Sequence, residues 1–233
     1  MQQNHTYGSI PWAIEYCGKE YFPHLTARYS MLAALAVVKS VFNPTTNQQP
    51  TMLLIGIAGH KLSGKDTASE TIAQIFTGSL FDKHERIAFA DALKKEVALA
   101  TGVEVEYINK EKALYRTILQ WWGTELRRKH DVNYWTNKWV KEVQARTSTS
   151  TVVITVPDVR FQNEVDIIKE LGGILWKVER KQYDMPVDNH ASENDLNDFH
   201  GWDAVITNNG TLESFQERVT SEFYKAYHNN ANK

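Results

Sequence analysis

Seven apolar or small residues, Met52 to Ala58, run without a break into Gly59-His-Lys-Leu-Ser-Gly-Lys-Asp66, after which Ala68, Ile72 and Ile75 recur at helical spacing. A short continuous apolar run reads as a strand buried on both faces, and the spacing that follows reads as a helix with one buried side. The same alternation continues along the chain. It predicts strands near 52–58, 85–89, 151–157, 173–178 and 203–207, and helices near 65–76, 91–101, 110–128, 133–146, 161–171 and 211–228. Apolar strands alternating with amphipathic helices predict an α/β fold, a mostly parallel open sheet flanked by helices. The last helix sets Leu212, Phe215, Val219 and Phe223 on one face, and Trp135, Trp139 and Val143 form a core stripe on another.

The first fifty residues have a different pattern. Leu25 to Phe42 reads as one mostly apolar helix, and Asn43 to Pro50 as a polar, proline-bounded connector, so the chain divides into an N-terminal helical extension with linker, 1–50, and the α/β region, 51–233. An apolar helix on a polar tether must be covered, by its own domain or by a second copy; packing on its own core is the safer expectation, and self-association as a homodimer the sharper one. With 233 residues and 42% apolar content, the chain suffices for one substantial core. Its 26 basic and 28 acidic residues leave a net charge of −2, so no general attraction to nucleic acid or to an anionic membrane is built in, and neither is an expected partner. The lone Cys17 cannot form an internal disulfide, which suits a reducing cytoplasm. The start of the chain shows no signal-like apolar core, and the most apolar stretch, Tyr29 to Val38, is half the length of about 20 residues that a membrane helix requires.

The segment after the first strand carries the strongest chemistry. Strand, glycine-rich loop and helix in that order form a phosphate-binding loop: Gly59 and Gly64 let backbone N–H groups converge on an anion, Lys65 adds a charge, and the helix directs its positive end at the same point. Gly59, Lys61, Ser63, Gly64, Lys65, Asp66 and Thr67 are the candidate phosphate-binding positions. The usual pattern places Ser or Thr directly after the lysine to hold magnesium, whereas this chain has Asp66 there and Thr67 next. Either Asp66, through a hard carboxylate oxygen, or Thr67 is the candidate metal ligand.

In open sheets of this kind ligands lie beyond the carboxyl ends of strands, so the residues just after each strand are the next candidates. Asp91 and Lys94 open the helix after the second strand and are expected near a second substrate; Asp91 also suits a plain helix-starting acid. At about 100° per residue, Arg116, Gln120, Gly123 and Arg127 share one sector of a helix, suited to a phosphate or a base edge, with Leu114, Ile118 and Trp122 toward the core. After the third strand, Asp158 and Arg160 emerge beside the phosphate loop, where an Asp organises magnesium or its waters and an Arg neutralises a phosphoryl group in transit. A strand-end pair that caps a helix is the structural alternative.

Taken together these blocks resemble the bacteriophage-type deoxynucleoside monophosphate kinases of the P-loop nucleoside monophosphate kinase group. The resemblance runs from Leu53 to about Val219 and rests on Ser63-Gly-Lys-Asp-Thr67, Phe89-Ala-Asp-Ala-Leu93, Gln120 with Gly123-Thr124, Pro157-Asp-Val-Arg-Phe161 with Glu164, Gly172-Gly173, Val178-Glu-Arg180, His190-Ala-Ser-Glu193 and Val205-Ile-Thr-Asn208. It implies a P-loop kinase fold and transfer of the γ-phosphoryl of ATP, with magnesium, to a deoxynucleoside 5′-monophosphate, in the cytoplasm of an infected bacterial cell. It further implies Lys65, Arg116, Asp158 and Arg160 as catalytic residues and Asp91, Lys94, Arg116, Gln120 and Arg127 on the substrate side. Arg180 and Asn208 fall on the donor's adenosine side, and Asp66 or Thr67 with Asp158 would hold the metal. His190, Ser192 and Glu193 belong to a block whose role the resemblance leaves open. Two alternatives stand beside it: a P-loop kinase with another acceptor, phosphomevalonate or a modified base in DNA, and a nucleotide-binding scaffold without turnover.

Overall fold

The computed structural model describes residues 52–77, 83–146, 152–181 and 194–231. The readings made on residues 1–50, including Cys17, and on His190, Ser192 and Glu193 fall outside them. In chain order the elements are β1 (Met52–Ala58), α1 (Lys65–Ile75), β2 (Lys83–Arg86), α2 (Phe89–Thr101), α3 (Val105–Lys110) and α4 (Lys112–Gln120). A π-helical segment (Trp121–Arg128) follows, then α5 (Tyr134–Arg146), β3 (Val152–Val159), α6 (Gln162–Glu170), β4 (Ile174–Glu179), β5 (Ala204–Thr207) and α7 (Leu212–Ala231).

The strands pair in the order β2-β3-β1-β4-β5, every neighbour parallel. Parallel strands need crossovers that place helices on both faces, which is why β1 and β3 are apolar throughout instead of alternating with polar residues. Leu54 and Ala58 of β1 turn to one face with Ile154 and Val156, where Phe89, Trp139, Val143, Val165 and Ile168 cover them. Leu53, Ile55 and Ile57 turn to the other, under Ala68 and Ile72 of α1 and Phe215, Val219 and Phe223 of α7. Those last three are at most 1% exposed, so each contributes about 1.5–3 kcal/mol, and a charge at any of them would lift α7 off the sheet. The chain leaves β1 toward β2 on one side and later builds β4 and β5 on the other, so the strand order reverses beside β1, the place where open α/β sheets hold ligands.

Three departures from the sequence-based expectations bear on function. The strand expected at 85–89 ends at Arg86, and Phe89 starts α2, because the side chain of Asp158 takes up the N–H groups of Phe89 and Ala90. The single helix expected at 110–128 is broken at Glu111 and turns π-helical from Trp121, and Leu114, placed on its core side by spacing, is 69% exposed. Finally, β3 carries one extra residue against β1: Gly56 pairs with Val156 but Ala58 with Val159. Such a bulge re-aims side chains, and here it lies at Pro157-Asp158.

Candidate active site

The loop between β1 and α1 has the backbone its sequence calls for. Gly59 (φ 141°) and Gly64 (φ 110°) take conformations that side chains disfavour. There is also no room for one: a Cβ on Gly59 would lie 2.3 Å from the Val178 carbonyl oxygen, and on Gly64 2.5 Å from Asn208 Nδ2. Lys65 is 8% exposed, folds back over the loop and donates from Nζ to the carbonyls of Gly59 and His60, both at 2.7 Å. No side chain caps α1, so its first N–H groups are left facing the loop mouth as an anion site. Among the described residues Ser63 Oγ is buried without a hydrogen-bond partner, the condition of a polar group that calls for a ligand or water. Asn208, expected on the adenosine side, grips the loop. Its Nδ2 donates to Ser63 O at 2.7 Å while its own N–H donates to Glu179 O at 2.7 Å. Arg180 reaches the loop only at the limit of hydrogen bonding, 3.5 Å from Nη1 to Leu62 O, and Lys61 is exposed.

Across the mouth, β3 and α2 bring in Asp158, Asp91 and Lys94. Asp158, expected to hold magnesium, takes the capping role that the sequence also allowed: its carboxylate caps α2, accepting from Phe89 N at 2.9 Å and Ala90 N at 2.8 Å. Burial pushes its pKa up, those two N–H groups hold it back, and the nearby charge of Asp91 pushes it further. Asp91 also serves as a helix-starting acid, accepting from Ala88 N at 3.0 Å. One turn on, burial lowers the Lys94 pKa, opposed by Asp91 and Asp158. Arg86, at the end of β2, stands 3.6 Å from both Asp66 and Asp91. It was missed because it lay within the expected strand and no motif marks it.

Arg160 lines a cleft with Gly59, His60, Lys177, Asn197 and Trp202, so the structure does bring it to the phosphate loop. Its segment is held by Glu164, 2% exposed, whose Oε2 accepts from Arg160 N at 2.7 Å and Phe161 N at 3.2 Å. Glu164 Oε1 pairs with Arg128, which also donates to Asn163 at 3.1 Å and lies 3.8 Å over the Phe161 ring. Burial raises the Glu164 pKa to about 7 against the pull of Arg128. Glu164 at the third position of α6 thus makes half of a capping box, reaching back to the Phe161 N–H, while Phe161 has no side-chain acceptor to complete it.

Arg116 and Gln120 lie half-buried on α4. Arg127, expected on the substrate side, is tied into a node on Glu96, donating from Nε at 3.0 Å and stacking over Tyr134, with Trp122 and Lys138 also bonded to Glu96. The π-helical turn is the reason. Its i→i+5 bonding advances less per residue than the α-helical 100°, so the sector shared by Arg116 and Gln120 does not continue to Gly123 and Arg127. The close approach at Gly123 is to the protein itself: a Cβ there would meet Leu93 at 3.1 Å, and Trp135 Nε1 donates to its carbonyl at 3.0 Å.

Among the described residues no three His, Cys, Asp or Glu side chains converge on one ion. Magnesium commonly uses one or two carboxylates completed by phosphates and water. Asp66, 65% exposed at the loop mouth, supplies one such oxygen donor, so the residues fit that mode of binding.

A five-stranded parallel sheet with a glycine loop and lysine after its central strand, and basic and acidic side chains gathered opposite, defines a P-loop kinase. A model of the deoxynucleotide monophosphate kinase family matches residues 91–219, more than half of the chain. The "Putative deoxynucleotide monophosphate kinase" of Acanthamoeba polyphaga mimivirus is 33% identical over 193 residues, covering 73% of this chain and 95% of that protein. Uncharacterized protein ORF77 of Ictalurid herpesvirus 1 (strain Auburn) is 25% identical over 169 residues, 72% of this chain and 68% of the other. Among solved structures, a gluconokinase from Sinorhizobium meliloti 1021 superimposes with a TM-score of 0.42 at 13% identity, over 78% of this chain and 97% of that one. Shikimate kinase from Aquifex aeolicus vf5 gives 0.40 at 12% identity, over 74% and 97%. The chain belongs to the deoxynucleotide monophosphate kinase family and is an enzyme that phosphorylates nucleotides. Among the described residues no helix is long and apolar enough to cross a membrane.

Proposed function

We propose that the chain transfers the γ-phosphoryl group of ATP to a deoxynucleoside 5′-monophosphate, giving the diphosphate and ADP, and that this serves DNA precursor supply in the cytoplasm of an infected bacterial cell. Residues 51–233 would form the kinase domain, with 1–50 an appendage to it. The observation that carries the reading is the phosphate loop closed by Lys65, with Arg160 on one side of its mouth and Asp91 and Lys94 on the other. In the transfer, the bond between the γ-phosphorus and the ADP oxygen breaks as one forms to an oxygen of the acceptor phosphate. Protein groups have little covalent work in such a step; alignment and charge neutralisation dominate.

Lys65, Ser63 and the loop N–H groups would hold the donor phosphates once Lys65 exchanges the Gly59 and His60 carbonyls for phosphate oxygens. Magnesium, carried on Asp66 with phosphates and water, would neutralise charge on the donor. Arg160 and Arg116 are assigned to the transferring and acceptor phosphates, and Gln120, Asp91 and Lys94 to the acceptor side. Asp158 and Glu164 act one step back, holding the start of α2 and the Arg160 segment in place. ADP release from ATP and magnesium with each deoxynucleoside monophosphate in turn tests the reading. At least one acceptor should accelerate release, and no acceleration by any of them would reject it.

A further inference from the structure

Arg86 is held more loosely than four other arginines of the domain. Arg127, Arg128, Arg146 and Arg218 each donate a hydrogen bond of 3.1 Å or less to a fixed protein acceptor. Among the described residues Arg86 has two long ion pairs, Nη2 to Asp66 Oδ1 and Nη1 to Asp91 Oδ1, both 3.6 Å, and its side chain is 40% exposed. At that distance and exposure neither contact is a hydrogen bond, and such pairs contribute little. The two carboxylates belong to opposite halves of the site: Asp66 is on the first turn after the phosphate loop and Asp91 on the first turn of α2. A guanidinium with its donors unspent exchanges such partners readily for a phosphate dianion, which accepts short, bidentate, charge-assisted bonds.

Resting on the kinase reading above, we propose that Arg86 couples the two substrate sites, releasing Asp66 when the metal-bearing donor arrives and turning its guanidinium to the acceptor's 5′-phosphate. Asp66 cannot serve Arg86 and a magnesium ion equally well, so donor binding frees the arginine on the acceptor side. By linkage, acceptor binding then favours donor binding by the same factor. In the resting state Arg86 offsets the two acids, so that an empty site does not place unpaired carboxylates across from each other.

The test is calorimetric titration of the full chain with each deoxynucleoside monophosphate, with and without a non-hydrolysable ATP analogue and magnesium. Wild type should bind at least one monophosphate, and about 5-fold or more tighter when the analogue is present. Arg86→Ala should weaken acceptor binding roughly 10-fold or more and remove the coupling, with Arg86→Lys between the two. Asp66→Asn should tighten acceptor binding in the absence of the analogue, an effect that a merely structural arginine does not produce. Should Arg86→Ala not fold, judged by circular dichroism, the Lys and Asn variants decide alone. Wild-type acceptor affinity and coupling in Arg86→Ala overturn the proposal, as do lost affinity with intact coupling and an Asp66→Asn protein that gains nothing. Wild type that binds no monophosphate would instead reject the kinase reading itself.

Discussion

Replacing Asp158 by alanine separates a structural role from a metal-binding one. The change removes the acceptors of two N–H groups, at 2.9 Å from Phe89 and 2.8 Å from Ala90. Phe89 is 3% exposed, so water cannot replace the carboxylate there, and a stranded buried donor costs about 1–3 kcal/mol. Ala90 is only half-buried, so water recovers part of its loss, leaving a cost toward the low end of the roughly 0.5–2 kcal/mol typical of a lost cap. Against these stands relief from burying a charge, the same cause that raises the Asp158 pKa. The net expectation is a loss of about 2 kcal/mol, or about 4–8 °C in Tm for a domain of this size. Asp158→Asn should fall between wild type and alanine, since one amide oxygen still accepts while its NH2 confronts the second N–H. Thermal unfolding by circular dichroism, beside a magnesium titration of turnover, gives both readouts. An Asp158→Ala protein with unchanged Tm and a shifted magnesium requirement would refute the capping argument and restore the metal-ligand role.

Other outcomes follow from the same contacts. Lys65→Ala should abolish turnover while leaving the circular dichroism spectrum intact, because Lys65 lies at the loop, where its Nζ donates to the Gly59 and His60 carbonyls, and not in the apolar core; retained activity would remove it from the donor site. Asn208→Ala loses the 2.7 Å bond to Ser63 O, so stability should drop by about 1 kcal/mol and the KM for ATP should rise more than kcat falls; an unchanged KM would show that the loop needs no clamp. Glu96 gives a pH test. Burial would raise its pKa, but Tyr134, Trp122 and Lys138 bond to it and Arg127 is near, which together hold it down to about 2. A depressed carboxylate stabilises the fold fully above its ordinary pKa of 4.5 and loses that contribution as pH falls toward 2. Glu96→Gln should therefore flatten the acid side of the stability profile measured by denaturant titration, and an unaltered slope would count against the node. Glu164 has the opposite sign. Its folded pKa of about 7 lies above its ordinary value of 4.5, so its contribution grows as pH falls through that interval, and Glu164→Gln should remove that trend.

Much of the molecule was legible in one dimension. Backbone and periodicity are local properties: the apolar run at Met52–Ala58, the glycines at 59 and 64, and the helical spacing of Ala68 and Ile72 each determine their own geometry, so β1, the phosphate loop and α1 fall where the sequence places them. Apolar strands joined by helices likewise determine a parallel sheet with two covered faces. The role of a charged side chain is another matter, because it depends on which other groups arrive beside it. Asp158 reads as a metal ligand until the bulge at its own position in β3 brings it onto the N–H groups of Phe89 and Ala90 at the start of α2, 69 and 68 residues earlier in the chain. Arg127 reads as a substrate contact until a π-helical turn changes the period and hands it to Glu96, 31 residues away. Arg86 carries no signal at all until Asp66 and Asp91 close on it from two helices. Local order follows from sterics and burial within a few residues, whereas electrostatic partners are chosen by distance in three dimensions, and only the folded chain sets those distances.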